Sequence, residues 1–262
     1  MISVLMGVYN CEDTVIKAIE SIQNQTVTDW ELIICDDGSS DDTYEKVCLI
    51  KDKRVKVIRN KQNRGLPYSL NRCLKYATGE YVARMDGDDV SLPNRFEKEL
   101  AILQQGEFEI VSSWMNLTDD DGNIWGVLRN KEHPQREDLI TSSAIAHPVV
   151  MMKSGCLRAV KGYRNLPKTQ RVEDVDLWIR LYEKGYKAYN IQEALYNMLN
   201  NDEARKRRKY KYRINSTLIR MEGCKRLGLS GKYYVYAVKP MVLGLIPTKL
   251  RTAIRKKISR KD

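Results

Sequence analysis

The sequence predicts an α/β fold with a parallel sheet and helices on both of its faces. Short apolar runs alternate with helical patterns through the first hundred residues, and strands separated by single helices pair in parallel. Polar or acidic residues directly follow three of these runs. Since ligands of such sheets bind at the carboxyl ends of the strands, we expect the polar residues to gather at one edge of the sheet.

The spacing of apolar residues defines each element in turn. Val15, Ala18, Ile19 and Ile22 fall on one face of a helix, because residues three and four apart share a helical face. The other elements follow in the same way. The predicted strands are residues 2–8, 30–35, 55–58 and 80–85, and the predicted helices between them are residues 12–25, 44–50 and 66–77.

The second hundred residues predict a mixed α+β extension. The acidic turn at residues 119–123 contains Gly122 and lies between two apolar runs, a pattern typical of a hairpin. A further strand and a helix opened by Glu173 and Asp174 complete this part. The runs of the hairpin are residues 108–117 and 124–128, the strand is 147–152 and the helix is 175–182.

Positive charge is concentrated at the end of the chain. The net charge is +11, yet residues 201–262 alone carry 19 Lys and Arg against 4 Asp and Glu, so the first 200 residues are slightly acidic. We therefore predict a domain over residues 1–202, with halves 1–105 and 106–202, and a basic helical extension over 203–262. Such asymmetry favours an acidic partner for the extension, either a membrane surface or a nucleic acid.

The cysteines and the first residues indicate a reducing, cytoplasmic location. The six cysteines form no CxxC pair and only two histidines are present, so we expect buried free thiols and no zinc site. The N-terminus lacks the basic segment and cleavage site of a signal peptide. No apolar run reaches the roughly 20 residues that a membrane-spanning helix needs.

The turn Asp86-Gly87-Asp88-Asp89 is the first candidate for chemistry. Its three carboxylates repel one another, and a hard divalent cation such as Mg²⁺ or Mn²⁺ would offset their charge. The alternative is a solvated turn, since Asp and Gly both favour turns. Taken alone, the motif leaves both interpretations open.

Two further polar segments follow predicted strands. Asp36 and Asp37 come directly after a buried strand, where a carboxylate could accept hydrogen bonds from a base or a ribose hydroxyl. The acids and serines behind them could instead cap the next helix. The loop at residues 60–65 contains Lys61 and Arg64, which could face a diphosphate or only solvent.

Glu173 and Asp174 open a helix, where acids favour the positive end of the helix dipole. The functional alternative is a general base at a rigid helix start, which takes a proton from an attacking hydroxyl. His147 precedes Pro148 beside an apolar run. We expect a structural role for this histidine more than a catalytic one.

In this order the motifs resemble family 2 glycosyltransferases. The resemblance covers about residues 1–190 and rests on Tyr9-Asn10 and residues 31–43, 63–66, 77–89, 147–151 and 173–178. It implies the GT-A fold, a Rossmann-like mixed sheet flanked by helices. It also implies a nucleotide diphosphate-sugar donor, with a UDP-sugar favoured, and inversion at the anomeric carbon by direct displacement.

The resemblance also implies roles on the donor side, in residues 1–105. Tyr9 would stack near the nucleotide base beside Asn10, and Asp37 would hold the base. Arg64 and Arg84 would meet the phosphates.

It further implies that Asp86 and Asp88 hold Mn²⁺ or Mg²⁺ as a DxD-type motif, with Asp88 the surer ligand. Asp174 would be the general base of the acceptor half, residues 106–202. The pattern departs from the family at Gly7, and the Gln-x-x-Arg-Trp motif of processive synthases is missing. We therefore expect addition of a single sugar to a saccharide or lipid-linked acceptor, in polysaccharide, O-antigen or capsule biosynthesis.

Two other function classes remain at this point. A sugar-1-phosphate nucleotidyltransferase also combines a sheet, a nucleotide and a metal, but it should show a Gly-rich loop with Arg and Lys near the N-terminus. A non-enzymatic basic adaptor would bind membrane or nucleic acid through the extension. That interpretation leaves the acidic strand ends unexplained.

The basic extension itself favours a membrane surface. Residues 205–213 interleave basic side chains with Tyr210 and Tyr212, and residues 247–258 place apolar side chains on one helical stripe with basic flanks. Such a helix suits the surface of anionic lipid. Packing of the helix on the catalytic domain is the main alternative. RNA binding is possible for this composition but is not expected.

Overall fold

The computed structural model describes residues 1–201 and 209–244. In this part of the chain the strands are β1 (Ile2–Val8), β2 (Trp30–Asp36), β3 (Val55–Arg59), β4 (Tyr81–Asp86), β5 (Val90–Ser91), β6 (Ile110–Thr118), β7 (Ile124–Leu128), β8 (Met151–Lys153) and β9 (Ala188–Leu199). The helices are α1 (Val15–Gln23), α2 (Thr43–Cys48), α3 (Leu66–Tyr76), α4 (Arg95–Gln105), α5 (Asp138–Thr141), α6 (Ser154–Ala159), α7 (Glu173–Glu183), α8 (Tyr210–Arg226) and α9 (Lys232–Gly244).

The first four strands confirm the predicted parallel sheet. They lie in the order β3-β2-β1-β4, and each pair is parallel. Gly7 of β1 is in register with Cys35 of β2 and with Asp86 of β4. The carboxyl ends of these three strands are therefore level, which brings the polar residues that follow them to one edge.

The rest of the sheet is mixed. β8 pairs antiparallel with β4 and with β6, while β9 runs parallel to β6 and antiparallel to β5. The predicted hairpin is present, since β7 pairs antiparallel with β6 across the turn at residues 119–123. A mixed sheet flanked by helices confirms the predicted fold.

One predicted strand is wrong in its first half. His147–Val149 forms a 3-10 turn, and extended pairing begins only with β8 at Met151. Pro148 explains the difference, because its ring fixes φ and it has no N–H to donate to a neighbouring strand. The apolar sequence HPVVMM alone did not reveal this break.

Alternation along the strands builds a core on each face of the sheet. Leu5 of β1 packs in a cluster with α3 and α7, whereas its neighbours Val4 and Met6 pack in a second cluster with α1 and α4. Successive side chains of a strand point to opposite faces. The predicted helices on both faces are confirmed for the described residues.

Helices α8 and α9 join the first of these cores. Ile219, Cys224 and Ala237 are buried with Leu177 of α7. Within the described residues no helix is long and apolar enough to cross a membrane. The basic residues 205–208 and the predicted lipid-surface helix at residues 247–258 lie outside the described residues, and the boundary near 203 stays a prediction.

All six cysteines lie in the described part of the chain and are free thiols. Cys35, Cys73, Cys156 and Cys224 are buried, as expected for thiols within apolar runs. Cys48 is exposed at the end of α2. Burial was therefore predicted correctly for four of the six cysteines, but not for Cys48 or for the partly buried Cys11.

Candidate active site

The loops after β1 and β2 are fastened to each other. The Asn10 side-chain oxygen accepts a hydrogen bond from the Ser40 amide (2.9 Å), and the Asn10 amide donates to Ser39 Oγ (3.0 Å). Asn10 has a φ of 49°, a conformation that Asn tolerates better than most residues. This turn presents the ring of Tyr9, which is 47% exposed, at the edge of the sheet.

Asp37 organises the loop that follows β3. Its buried carboxylate accepts hydrogen bonds from Asn60 Nδ2 (2.5 Å), the Arg64 amide (2.9 Å) and the Gly65 amide (2.7 Å). The guanidinium of Arg64 is exposed and lies over the ring of Tyr68. One edge of the sheet thus carries Tyr9, Asn10, Asp37 and Arg64. The nucleotide contacts predicted for these residues remain predictions.

Glycine is required in the acidic turn after β4. A Cβ on Gly87 would lie 2.8 Å from Val8 Cγ1 and 3.0 Å from Cys11 Sγ. Thr14 Oγ1 donates a hydrogen bond to the Gly87 carbonyl (2.9 Å). The turn is therefore packed directly against the β1–α1 loop, which fixes the carboxylates on either side of Gly87.

Asp86, Asp88 and Asp89 form a compact carboxylate cluster. One oxygen of each lies within 4.8 Å of the others. Asp89 is buried and accepts a hydrogen bond from the Leu199 amide of β9 (2.8 Å). Burial and the charges of Asp86 and Asp88 raise the pKa of the Asp89 carboxyl well above its usual range. The neighbouring carboxylates thus oppose the ionisation of Asp89.

Arg84 compensates one of these charges. Its guanidinium is buried, and both terminal nitrogens donate to the carboxylate of Asp86. Burial lowers the pKa of the Arg84 guanidinium, but the negative charge and the hydrogen bonds of Asp86 together have the larger effect, so that the pKa is raised. The structure thus places Arg84 against Asp86, and the phosphate contact implied for Arg84 stays a prediction.

The donor set fits a hard divalent cation. The cluster offers three carboxyl groups, and every offered ligand atom is an oxygen. Mg²⁺ and Mn²⁺ prefer such ligands, and Mg²⁺ is commonly held by one or two carboxylates together with substrate phosphates. The chemistry of these residues therefore agrees with the predicted Mn²⁺ or Mg²⁺ site.

Glu173 and Asp174 begin α7, as predicted. Burial raises the pKa of the Asp174 carboxyl, and the charges of Arg220 and Arg84 oppose that rise. Burial and the charge of Asp174 raise the pKa of Glu173 to about 7. Glu173 Oε2 is buried and has no hydrogen-bond partner within the described part of the chain. The pKa of Glu173 therefore lies close to neutral pH, and the pKa of Asp174 lies above its usual value.

His147 lies inside the protein. Its Nε2 shares a hydrogen bond with the hydroxyl of Tyr163 (2.9 Å), and its ring packs edge-on against Trp178. Burial and the charge of Arg84 lower the pKa of His147 well below its usual value. A neutral, buried and partnered histidine agrees with the expected structural role.

The charge of Arg84 reaches both acidic motifs. It acts on Asp86 at the end of β4 and also on Glu173 and Asp174 at the start of α7. The pKa of Tyr163 is raised by burial and is also affected by the charges of Arg84, Glu173 and Asp174. The residues predicted for the metal and for the base are therefore influenced by the same buried arginine.

Comparisons with known proteins agree with this geometry. Residues 3–160 match the family described as "Glycosyl transferase family 2". EpsE of Bacillus subtilis (strain 168), which is classified as a glycosyltransferase, is 39% identical over 260 residues, covering 98% of this chain and 93% of its own.

This chain belongs to glycosyltransferase family 2.

Two further similarities extend over nearly all of this glycosyltransferase. An Escherichia coli UDP-Gal:alpha-D-GlcNAc-diphosphoundecaprenol beta-1,3-galactosyltransferase is 29% identical over 275 residues, covering 99% of this chain and 96% of its own. The crystal structure of S. aureus TarS 1–349 in complex with UDP-GlcNAc superposes with a TM-score of 0.71 at 18% identity, covering 92% of this chain and 71% of that chain. The latter supports the fold alone. The nucleotidyltransferase and adaptor alternatives are not favoured.

Sequence reasoning missed two groups of this glycosyltransferase that touch the acidic turn. Asp89 lies in the predicted motif, but only Asp86 and Asp88 were assigned to the metal. Tyr196 of β9 is fully buried, and its hydroxyl accepts a hydrogen bond from the Asp86 amide (3.2 Å). Asp89 could have been included from its position, whereas nothing in the sequence marks Tyr196.

Proposed function

We propose that this glycosyltransferase transfers a single sugar, with inversion, from a UDP-sugar to a hydroxyl of a lipid-linked saccharide. The convergence of two acidic motifs around Arg84 carries the proposal. Asp86 pairs with Arg84, and the same charge acts on Asp174. Direct displacement needs a site for the leaving diphosphate and a base for the acceptor, and these motifs suit the two tasks.

The donor would bind along the edge formed by β1, β2 and β4. The ring of Tyr9 is available to stack on a base, and Asp37 holds the loop that would close around it. Arg64 would face the phosphates from that loop. UDP is favoured because the Escherichia coli relative is named for UDP-Gal and the S. aureus structure contains UDP-GlcNAc.

Asp86, Asp88 and Asp89 would hold the divalent cation, Mn²⁺ or Mg²⁺. When bound, such a cation neutralises developing charge on a leaving diphosphate. The pairing of Arg84 with Asp86 fixes one carboxylate of the set, and the Leu199 amide fixes Asp89. These contacts orient the carboxylate oxygens before the cation binds.

Asp174 would take the proton of the acceptor hydroxyl. As the hydroxyl oxygen bonds to the anomeric carbon, the bond from that carbon to the diphosphate oxygen breaks, and UDP leaves with the electron pair. A base acts best when its pKa lies near the working pH. Burial moves the pKa of Asp174 in that direction, above its usual value.

A lipid-linked acceptor would be met at a cytoplasmic membrane surface, and α8 supports this part of the proposal. Its outward face exposes Ile214, Leu218 and Met221 between Lys211 and Lys225. Residues 209–244 carry eight Lys and Arg and a single acid, Glu222. An apolar stripe with basic residues at both ends suits anionic lipid.

Transfer is tested by measuring UDP release from UDP-Glc, UDP-Gal and UDP-GlcNAc, with Mn²⁺ or Mg²⁺, and with a synthetic GlcNAc-diphospholipid acceptor. We expect acceptor-dependent release with one donor and none after chelation. UDP binding is measured in parallel by calorimetry. If neither UDP nor any UDP-sugar binds with either metal, the proposal is wrong.

Membrane binding is tested separately by cosedimentation with phosphatidylcholine vesicles, with and without phosphatidylglycerol. We expect salt-sensitive binding that requires phosphatidylglycerol and weakens in the variant Leu218→Glu/Met221→Glu. Leu49→Glu is the matched control, because Leu49 is also exposed but lies on the donor half. Equal binding of the two variants would exclude α8 as the lipid-facing helix.

A further inference from the structure

The inner face of α8 packs closely against α7, the helix that carries Asp174. Ile219 and Cys224 are buried in the same core as α7. Gly223 allows the close approach, because a Cβ there would lie 2.5 Å from Ile179 Cδ1 and 3.1 Å from Ile140 Cδ1. Helix α8 is thus part of the packing around α7, the helix that carries the proposed base.

Arg220 is the charged residue of this inner face. It is only 8% exposed, and its NH1 donates to the carbonyls of Leu139 and Ile140, while NH2 donates to the carbonyl of Ser142 (3.2 Å). These carbonyls end the short helix α5. A cation there satisfies backbone acceptors that the helix leaves unpaired. Arg220 therefore ties α5 to α8 in a fixed geometry.

The charge of Arg220 also acts on Asp174. The two residues influence each other reciprocally: Asp174 favours the charged form of the guanidinium, and Arg220 favours the charged form of the carboxylate. Burial opposes both charges. Opposite charges in a buried setting interact more strongly than they would in water.

A second contact holds the same helices together. Glu222 of α8 pairs with Lys168 (2.6 Å) and with Arg164 (3.4 Å), and Arg164 Nε donates to the buried carboxylate of Asp176 (2.9 Å) on α7. Arg180 Nε binds that carboxylate as well (2.9 Å). The first turn of α7 is therefore connected to α8 through Arg164 and Glu222, while Arg220 connects α8 to α5.

We propose that Arg220 is a positioning residue for transfer: it fixes the junction of α5 with α8, and α8 packs on α7, the helix that begins with Glu173 and Asp174. The basic C-terminal region then contributes to the active site through α8 as well as to a membrane surface. This inference rests on the proposed function, in which Asp174 is the base. It goes beyond that function because it assigns a catalytic contribution to a helix outside residues 1–202.

The groups that act on Asp174 come from several elements. Glu173 lies beside it on α7, Tyr163 precedes α7, Arg84 comes from β4 and Arg220 from α8. Arg171 acts on the neighbouring Glu173. Removal of Arg220 leaves the opposing effect of burial in place. The carboxyl of Asp174 then holds its proton to higher pH.

The test compares Arg220→Met, Arg220→Lys and Arg226→Gln. Arg226 is the control because it is an α8 arginine whose ion pairs with Glu183 and Glu222 lie at the surface. We expect Arg220→Met to bind UDP normally but to lose roughly 10- to 100-fold in kcat/KM, the size expected for a misplaced catalytic group. The acidic limb of its pH profile should move to higher pH. Arg220→Lys should restore much of that shift, and Arg226→Gln should match the wild type.

Two outcomes would overturn the inference. One is a pH profile of Arg220→Met that coincides with the wild type; the other is a loss of activity that equals the loss of folded protein by circular dichroism. If the wild type itself shows no transfer, the proposed function fails, but Arg220 is still tested. Carboxyl ¹³C NMR, with Asp174→Asn for assignment, reports the titration of Asp174 directly in wild type and Arg220→Met. An unchanged titration then contradicts the inference.

Discussion

The carboxylates after β2 and β4 and the carboxylate at the start of α7 are held in different ways. Asp37 is bound by amides of the loop after the next strand, and Asp86 by Arg84 of its own strand. Asp174 instead depends on charges from β4 and α8. The proposed donor side is therefore built from neighbouring βα units, whereas the proposed base is influenced by charges from distant parts of the chain.

Because of this difference, the donor side and the surroundings of Asp174 should respond differently to substitution. A substitution on the donor side should affect nucleotide and metal binding together, because one group of loops holds both. A substitution around α7 should affect transfer while nucleotide binding persists. If donor-side and α7 variants affect binding and transfer in the same way, the distinction between the two sides is wrong.

The largest effect is expected for Asp174→Asn. Loss of the base should reduce kcat on the order of 10²- to 10⁴-fold, the usual contribution of general-base catalysis. The affinity for UDP with Mn²⁺ should stay at the wild-type value, since Asp174 lies outside the carboxylate cluster. Rate and calorimetric binding are measured on the same preparation. A parallel loss of UDP affinity would show that the two sides are not separate.

Asp88→Asn tests the donor side, which contains the carboxylate cluster. We expect transfer to fall about 10³-fold, because Lewis-acid stabilisation is worth several kcal/mol. Stabilisation of the fold by UDP should no longer depend on Mn²⁺ in a thermal-shift measurement, since a ligand raises stability only by binding the native state. Asp120→Asn, in the exposed hairpin turn, is the control and should behave as the wild type. Undiminished metal-dependent stabilisation in Asp88→Asn would remove Asp88 from the site.

Glu173→Gln examines how the buried acids near α7 affect stability. The pKa of Glu173 is raised to about 7, whereas an unfolded glutamate titrates near ~4.3. Between these values the folded protein keeps a proton that the unfolded chain has lost, so stability falls as pH rises through this window. The variant lacks this penalty and should gain up to about 3 kcal/mol at about pH 8 and little at about pH 4.

Urea unfolding at the two pH values measures this effect, with Glu107→Gln as an exposed control. A gain of equal size at both pH values would mean that the ionisation of Glu173 is not responsible.

The smallest effect, a change in stability, is expected where α8 packs on α7. Gly223→Leu should lower the free energy of unfolding by about 1–3 kcal/mol, because added atoms overpack a filled contact. Gly155→Ala is the matched control, since a Cβ on Gly155 of α6 meets nothing within 4 Å. That control should be stabilised by about 0.5–1 kcal/mol, since Gly is unfavourable within a helix. If the two variants are equally stable, α8 does not depend on this close contact.

The sequence was informative wherever structure follows from local pattern. Strands β1 to β4, their helices and the acidic residues at their ends were predicted because apolar periodicity and turn composition act over a few residues. The start of α7 was predicted for the same reason. Pro148 shows the limit of this reasoning, since an apolar run that suits a strand is interrupted by one residue without an N–H.

Long-range contacts were not predictable in this way. Strand β9 was not identified, although its Tyr196 contacts the acidic turn. In the basic extension, Arg220 looks like its neighbours in the sequence but is buried, while Lys211 and Lys225 are exposed. A count of charges cannot separate these cases, because burial depends on which face of α8 meets α7.

By itself the sequence determined the order of the elements, the acids at the strand ends and the membership of a glycosyltransferase family. Only the tertiary structure decided that Arg84 pairs with Asp86 and that Arg220 acts on Asp174. The physical reason is one of range. Backbone preferences and side-chain periodicity are fixed by neighbours along the chain, whereas the strength of a charge pair depends on distance and burial in the folded molecule.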